Sequence, residues 1–303
     1  MRKREATSQQ DFSMRPLGAR VGAEIGDLNF AKPIGRETID RLQQALLDKQ
    51  VLHFPGQHLT PERVLEIGKL FGKPEVHPVW PGTTANPEII HITKKMGEED
   101  TVGTKPRTIS SFFQRPTRVA ICYNDASSEN FDYVFASLTE AWEGLSEPVQ
   151  DFLIGLRAIH SGETEFAPEG RGSKRFLGQS SSPLIYSDAI FHPVEHPLVH
   201  VHPDSGRKSL FINEAFTQGI VGLEAAESDA LLEFLFRHCA KPEYGCRVVA
   251  SSSTLTIFDN RVTTQRMTDQ GLLHRRKLVV IVIAGEEKLI APSDWPLKRS
   301  LPL

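Results

Sequence analysis

Imidazole can serve as a metal ligand, as a general acid or base, or as a buried hydrogen-bonding group. In this chain His192, His196, His200 and His202 crowd one short stretch, a density that invites a metal-cluster reading. His202-Pro-Asp204, at its end, is the only His-x-Asp tripeptide. His53, His91 and His160 stand alone in apolar strands or at helix ends, where a structural role is the ordinary one. A second polar constellation is Asp259-Asn260-Arg261, within the run from Ser253 to Gln265. Leu255 and Ile257 alternate with polar residues ahead of it, as in a strand, and an Asp–Asn pair then favours a turn. Cys122 sits beside Tyr123 in an apolar segment with no histidine next to it, so nothing in the sequence supports a nucleophile there.

These residues hang on many short elements. Ile39, Leu42, Leu46 and Leu47 at helical spacing predict an amphipathic helix over Glu37–Lys49. Thr60 and Pro61 form an N-cap and first-turn proline for a helix to about Phe71. Ser137 and Glu140 read as a capping box opening one helix, and Ser146 opens another through about Ala158. Strands are predicted at 17–25, 50–55, 87–92, 117–123, 133–136, 197–201, 209–213, 247–249, 255–258 and 277–284. Residues 94–108 form a charged surface loop. Residues 162–187, rich in Gly, Ser, Pro and charge, have the composition of a lid. Residues 1–14 read as a flexible tail and 15–303 as a single domain. Many short strands with a few gathered helices suggest a mainly β fold, a barrel or jelly roll with helices on its outside.

Composition bounds the function. The 303 residues carry 35 Lys and Arg against 38 Asp and Glu, a net charge of -3, which argues against a nucleic-acid binder. Three cysteines without C-x-x-C spacing suit free thiols in a reducing compartment, and no apolar stretch reaches the roughly 20 residues of a membrane span. The expectation is a cytoplasmic protein with a small-molecule substrate, no nucleic-acid or membrane partner, and a possible homo-oligomeric state.

Several motifs, in order, resemble the taurine dioxygenase (TauD/TfdA-like) family of iron(II)- and 2-oxoglutarate-dependent enzymes. They are Gln50-Val-Leu-His-Phe-Pro-Gly-Gln, Leu59-Thr-Pro-Glu, Glu75-Val-His77-Pro-Val, Phe135-Ala-Ser-Leu-Thr-Glu-Ala-Trp and the run from His196 to Asn213. The resemblance covers about residues 15–290 and implies a double-stranded β-helix (jelly roll, cupin-like). It also implies a His-x-Asp…His triad holding iron on one face. Counting from Ser111-Phe-Phe-Gln-Arg-Pro116 puts Arg107 and Ile109 at the first two ligands, and the segment that normally ends in the third histidine ends in Gln265. The family's 2-oxoglutarate threonine falls on Tyr133. Its 2-oxoglutarate arginine is kept as Arg276, and its substrate arginine falls on Val280. His196 and His202 belong to the family's own H-P pattern, which weakens the metal-cluster reading of that stretch.

On this alignment the metal ligands are absent, and a guanidinium cannot shed its proton to become one. The resemblance then implies His77, Arg107 and Tyr133 as catalytic candidates, Arg276, Gln265 and Asn260 as substrate-binding candidates, and no metal ligand. Arg107 could hold a carboxylate or phosphate where the metal would lie, or point into solvent. His77 could act as acid or base or make a structural bond, and Tyr133 could fill space or donate from its phenol. Two classes of function stay open. One is a metal-independent isomerase, dehydratase, cyclase or decarboxylase acting on a small oxygenated, acidic metabolite. The other is a non-catalytic sensor or scaffold. No cofactor is expected; iron(II) and 2-oxoglutarate enter only through a third possibility, a dioxygenase with unconventional ligands.

Overall fold

The computed structural model describes residues 11–98, 103–170, 174, 180–268 and 274–295. In chain order its strands are β1 (Ser13–Pro16), β2 (Ala23–Gly26), β3 (Val51–Phe54), β4 (Ile90–Lys94), β5 (Val119–Asn124), β6 (Phe131–Ser137), β7 (Arg157–His160) and β8 (Val194–Pro197). They continue as β9 (Val199–Val201), β10 (Lys208–Leu210), β11 (Thr217–Ile220), β12 (Gly245–Ala250), β13 (Thr254–Asp259), β14 (Thr263–Met267) and β15 (Arg276–Ile283). The α-helices are α1 (Arg36–Lys49), α2 (Pro61–Lys69), α3 (Leu138–Glu143), α4 (Glu147–Leu153), α5 (Glu163–Phe166) and α6 (Ala225–Cys239). This is the mainly β architecture with flanking helices expected of a double-stranded β-helix.

A seven-stranded sheet, ordered β1-β2-β3-β13-β5-β15-β4, faces a three-stranded sheet ordered β12-β6-β14. The period-two alternation of each strand decides which core each residue joins. On β15, Leu278, Val280 and Val282 face the core between the sheets, while Val279, Ile281 and Ile283 pack outward. α1 and α2 cover that outward face with Leu42, Leu46, Val64 and Ile67. Both faces of β5, β13 and β15 are therefore dry, which explains their nearly unbroken apolar runs. A third core joins α3, α4 and α6 to the strands β7, β9, β10 and β11.

Most local signals act as expected. Thr60 accepts a hydrogen bond from Arg63 N and caps α2, with Pro61 in its first turn. Ser137 likewise accepts from Glu140 N, but the Glu140 carboxylate pairs with Arg20 and Arg207 across the fold. The helix opened at Ser146 stops at Leu153, short of Ala158. Gly155 turns at φ 93°, and Arg157–His160 becomes β7, paired with β8. The strand expected from residue 87 begins instead at Ile90.

Residues 1–10 of the expected tail lie outside the described residues, and its last residues open β1, which pairs with β2. Part of the expected lid, residues 171–173 and 175–179, also lies outside them, as do 99–102 of the charged loop. The described flank of the lid packs inward: Ile185 N donates to Val79 O, and Leu184 is buried. None of the described helices is long and apolar enough to cross a membrane. Cys122, Cys239 and Cys246 are free and buried.

Candidate functional site

The site lies between the two sheets, where β14 meets the loop that follows residue 102. Arg107 and Gln265 form an antiparallel bridge, with Arg107 N donating to Gln265 O at 3.0 Å and Gln265 N to Arg107 O at 2.9 Å. Met267 N donates to Gly103 O. Gly103 has φ +95°, a backbone conformation that side chains rarely adopt, so glycine is favoured there. Asn260 fastens the other end of the loop. Its Oδ1 accepts from Ile109 N at 2.7 Å, and its Nδ2 donates to Ile109 O and Thr117 O at 2.8 Å each. These bonds commit the Asn260 side chain to the backbone, and it does not line the cavity. Its substrate-binding assignment is corrected on that ground: the amide holds the loop in place.

Arg107, Ile109, Gln265, Tyr133 and His77 do come together, lining a cavity of about 70 Å³ whose other walls are mostly apolar. The solvent-facing alternative for Arg107 is excluded, because the side chain is buried. One of its terminal nitrogens lies 3.0 Å from Glu165 Oε2, and Glu165 is 1% exposed. The sequence offered no sign of this partner, since Glu165 lies in the stretch whose composition reads as a lid. Gln265 Oε1 is buried and finds no hydrogen-bond partner among the described residues.

Arg276 opens β15 on the same inward face as Leu278 and Val280, with its guanidinium 5.6 Å from the Phe131 ring centre. It lies close enough to Tyr133 to act on its ionisation. Tyr133 packs between Phe131 and Phe135 near the Cys122 thiol, and its buried hydroxyl has no hydrogen-bond partner among the described residues. Burial, reinforced by Cys122, holds the phenol well above its ordinary pKa, and burial pushes the thiol up to about 12. Both remain protonated at neutral pH. His77 Nδ1 accepts from Val79 N and Trp80 N, while its ring packs among Phe112, Phe113 and Phe166. Burial lowers its pKa to about 3, so it stays neutral.

The crowded histidines are framework. His196 Nε2 donates to Ser111 O, His200 Nε2 to Arg261 O, and His202 Nε2 to Asp259 Oδ2. Among the described residues no group of three or more His, Cys, Asp or Glu could hold a metal ion.

A jelly roll with a small, largely apolar pocket between its sheets defines the class of protein. The family model of the taurine catabolism dioxygenase TauD, TfdA family matches residues 13–265, and the chain belongs to that family. It is 29% identical to an alkylsulfatase of Acinetobacter baylyi, over 91% of this chain and 86% of that protein. It is 26% identical to an alpha-ketoglutarate-dependent sulfate ester dioxygenase of Pseudomonas putida, over 91% and 90%. The crystal structure of a taurine dioxygenase from Burkholderia xenovorans superposes with a TM-score of 0.77 at 26% identity, covering 94% of this chain and 92% of that one.

The expectation that no cofactor is involved is corrected by these relatives, since the Pseudomonas putida protein and others are named for dependence on alpha-ketoglutarate, that is, 2-oxoglutarate. Of the chain's own residues, Arg276 suits that compound with a buried guanidinium on the inward face of β15, beside the cavity rather than in its lining, whereas the unpartnered Gln265 oxygen is an acceptor and calls for a donor that the ionised diacid lacks. Arg107, Ile109 and Gln265 do not by themselves fit a ferrous ion, since they offer a guanidinium, an alkyl chain and an amide.

Proposed function

We propose that this protein is a 2-oxoglutarate-binding enzyme of small-molecule metabolism that uses the cavity between its sheets. The observation that carries this reading is Arg276, buried on the inward face of β15 beside Tyr133. Its planar guanidinium suits the distal carboxylate of the diacid. With dioxygen as the oxidant, bound 2-oxoglutarate would be the electron donor, giving succinate and carbon dioxide, one oxygen atom entering succinate and the other the second molecule. The chain's part is to orient that diacid, to exclude water with Trp80, Phe166 and Phe216, and to offer apolar wall to the body of a second molecule. Val280, where the family resemblance expects a substrate arginine, makes that wall uncharged, which favours an organic body over an anionic headgroup there.

Acid–base conversion by His77 or Tyr133 has little support, because neither titrates near neutral pH in this setting. A second reading, ligand binding without turnover, draws on the buried Arg107–Glu165 pair at the aligned metal position. Titration calorimetry with 2-oxoglutarate tests the shared core of both. Arg276→Ala should weaken binding by about 2 kcal/mol or more, the scale of a lost charge-assisted hydrogen bond. Unchanged affinity would remove Arg276 from the site. Release of succinate with a panel of sulfate esters and sulfonates, or none, separates enzyme from binding protein.

A further inference from the structure

Three residues that line the cavity between the sheets each keep a buried polar atom with no hydrogen-bond partner among the described residues: Ser110 Oγ, Tyr133 Oη and Gln265 Oε1. Tyr133 on β6 and Gln265 on β14 are diagonal neighbours on one face, since Gln265 pairs with Phe135 and Met267 with Tyr133. Ser110 follows Ile109, whose backbone is fastened by Asn260, and has φ 54°, a left-handed conformation uncommon outside glycine. The lining is electrically balanced. Arg107 is its one charged residue among the described residues, and Glu165 meets that charge at 3.0 Å. Tyr133 and Cys122 stay protonated at neutral pH, and His77 stays uncharged. The volume, about 70 Å³, is about half that of a cavity known to admit benzene, roughly 150 Å³, which suits a guest of about three or four heavy atoms.

We propose that this cavity binds a small uncharged alcohol, whose hydroxyl donates to Gln265 Oε1 and accepts from Tyr133 while its alkyl part lies against Leu278 and Val280. The inference rests on the reading of this cavity as the place of the second molecule, and it names that molecule's class. It does not depend on how Arg276 holds the diacid. A hydroxyl answers both groups, because an amide oxygen only accepts and a protonated phenol can donate. A carbonyl compound answers Tyr133 alone. A carboxylate brings a charge that Arg107, already paired, does not offset. An alkyl group separates the guest from water, since it covers the apolar wall that water leaves exposed.

The test titrates the protein with 2-propanol, acetone and acetate, which share one branched shape, and follows the methyl resonances of Ile90, Leu278 and Val280. 2-Propanol should shift them saturably, acetone should bind at least about fivefold more weakly, and acetate should leave them in place. Gln265→Leu should reduce 2-propanol to the affinity of acetone, whereas Tyr133→Phe should weaken both alike. If a variant does not fold, the three ligands on the wild-type protein still decide. Equal affinity for 2-propanol and acetone overturns the inference, as does a preference for the alcohol that survives Gln265→Leu. Tightest binding by acetate overturns it too, and so does the absence of saturable shifts with all three, which would leave water as the guest. Each of these outcomes leaves 2-oxoglutarate binding at Arg276 to be judged by its own calorimetry.

Discussion

Two buried ion pairs flank the segment that runs from β13 through a turn into β14, and they are built differently. At its turn, Asp259 accepts from the backbone N and two side-chain nitrogens of Arg261, and from His202 Nε2. Arg261 reaches Asp204 as well, and His202 Nδ1 accepts from Asp204 N and Ser205 N. Along the second strand, beside Gln265, Arg107 meets Glu165 through one nitrogen and one oxygen at the edge of a cavity. The first arrangement is over-determined and locks a turn. The second joins two separate segments beside a cavity, with Arg107 also donating to Lys105 O.

The difference is sharpest when a partner is removed. Asp259→Asn should cost about 3–5 kcal/mol in urea unfolding, because Arg261 keeps a buried charge without compensation. Burial raises the Asp259 pKa, but the charge of Arg261 and the His202 contact outweigh it and leave the group well below its ordinary 3.8. Its contribution is therefore full at neutral pH and drains away as pH falls below about 3.8, a limb that the variant should lack.

Replacing both members separates the regions further. Arg107→Met with Glu165→Leu should fall within about 2 kcal/mol of wild type, since apolar residues can replace a buried pair. Asp259→Leu with Arg261→Met should stay strongly destabilised, because His202 and the turn backbone also lose their acceptor. Equal recovery of the two double variants would erase the comparison.

The smallest expected effect belongs to histidines held neutral. Burial lowers His77 and His200 to about 3 and His53 to about 4, each below the ordinary 6.5. The unfolded chain thus binds more protons, and stability should decline as pH drops from about 6.5 toward 3. His77→Phe should flatten this decline at a cost of about 1–3 kcal/mol for the acceptor lost to Val79 N and Trp80 N. An unchanged slope between pH 6 and 4 would show that His77 is not part of it.

Much of the fold was legible in the sequence because its signals are local. The apolar runs of β5 and β15, the Thr60–Pro61 start of α2 and the spacing of α1 each act within a few residues. The overreach at α4 came from the same source: Ile154, Leu156 and Ile159 suit a helix, but pairing with β8 makes the last part a strand. The site was legible in part. Arg107, Tyr133, Gln265 and Arg276 were singled out by position, and they do gather around or beside one cavity.

Residue types and their order determined the family and the jelly-roll class, and singled out Arg107, Gln265 and Asn260 as residues to place. Tertiary structure alone decided what those residues meet. Arg107 is neutralised by Glu165 from a segment 58 positions away. Asn260 spends its amide on the loop backbone, and Gln265 faces the cavity with an oxygen that has no partner among the described residues. A buried charge or amide takes its meaning from the group opposite it, and for these residues that group is supplied by distant chain.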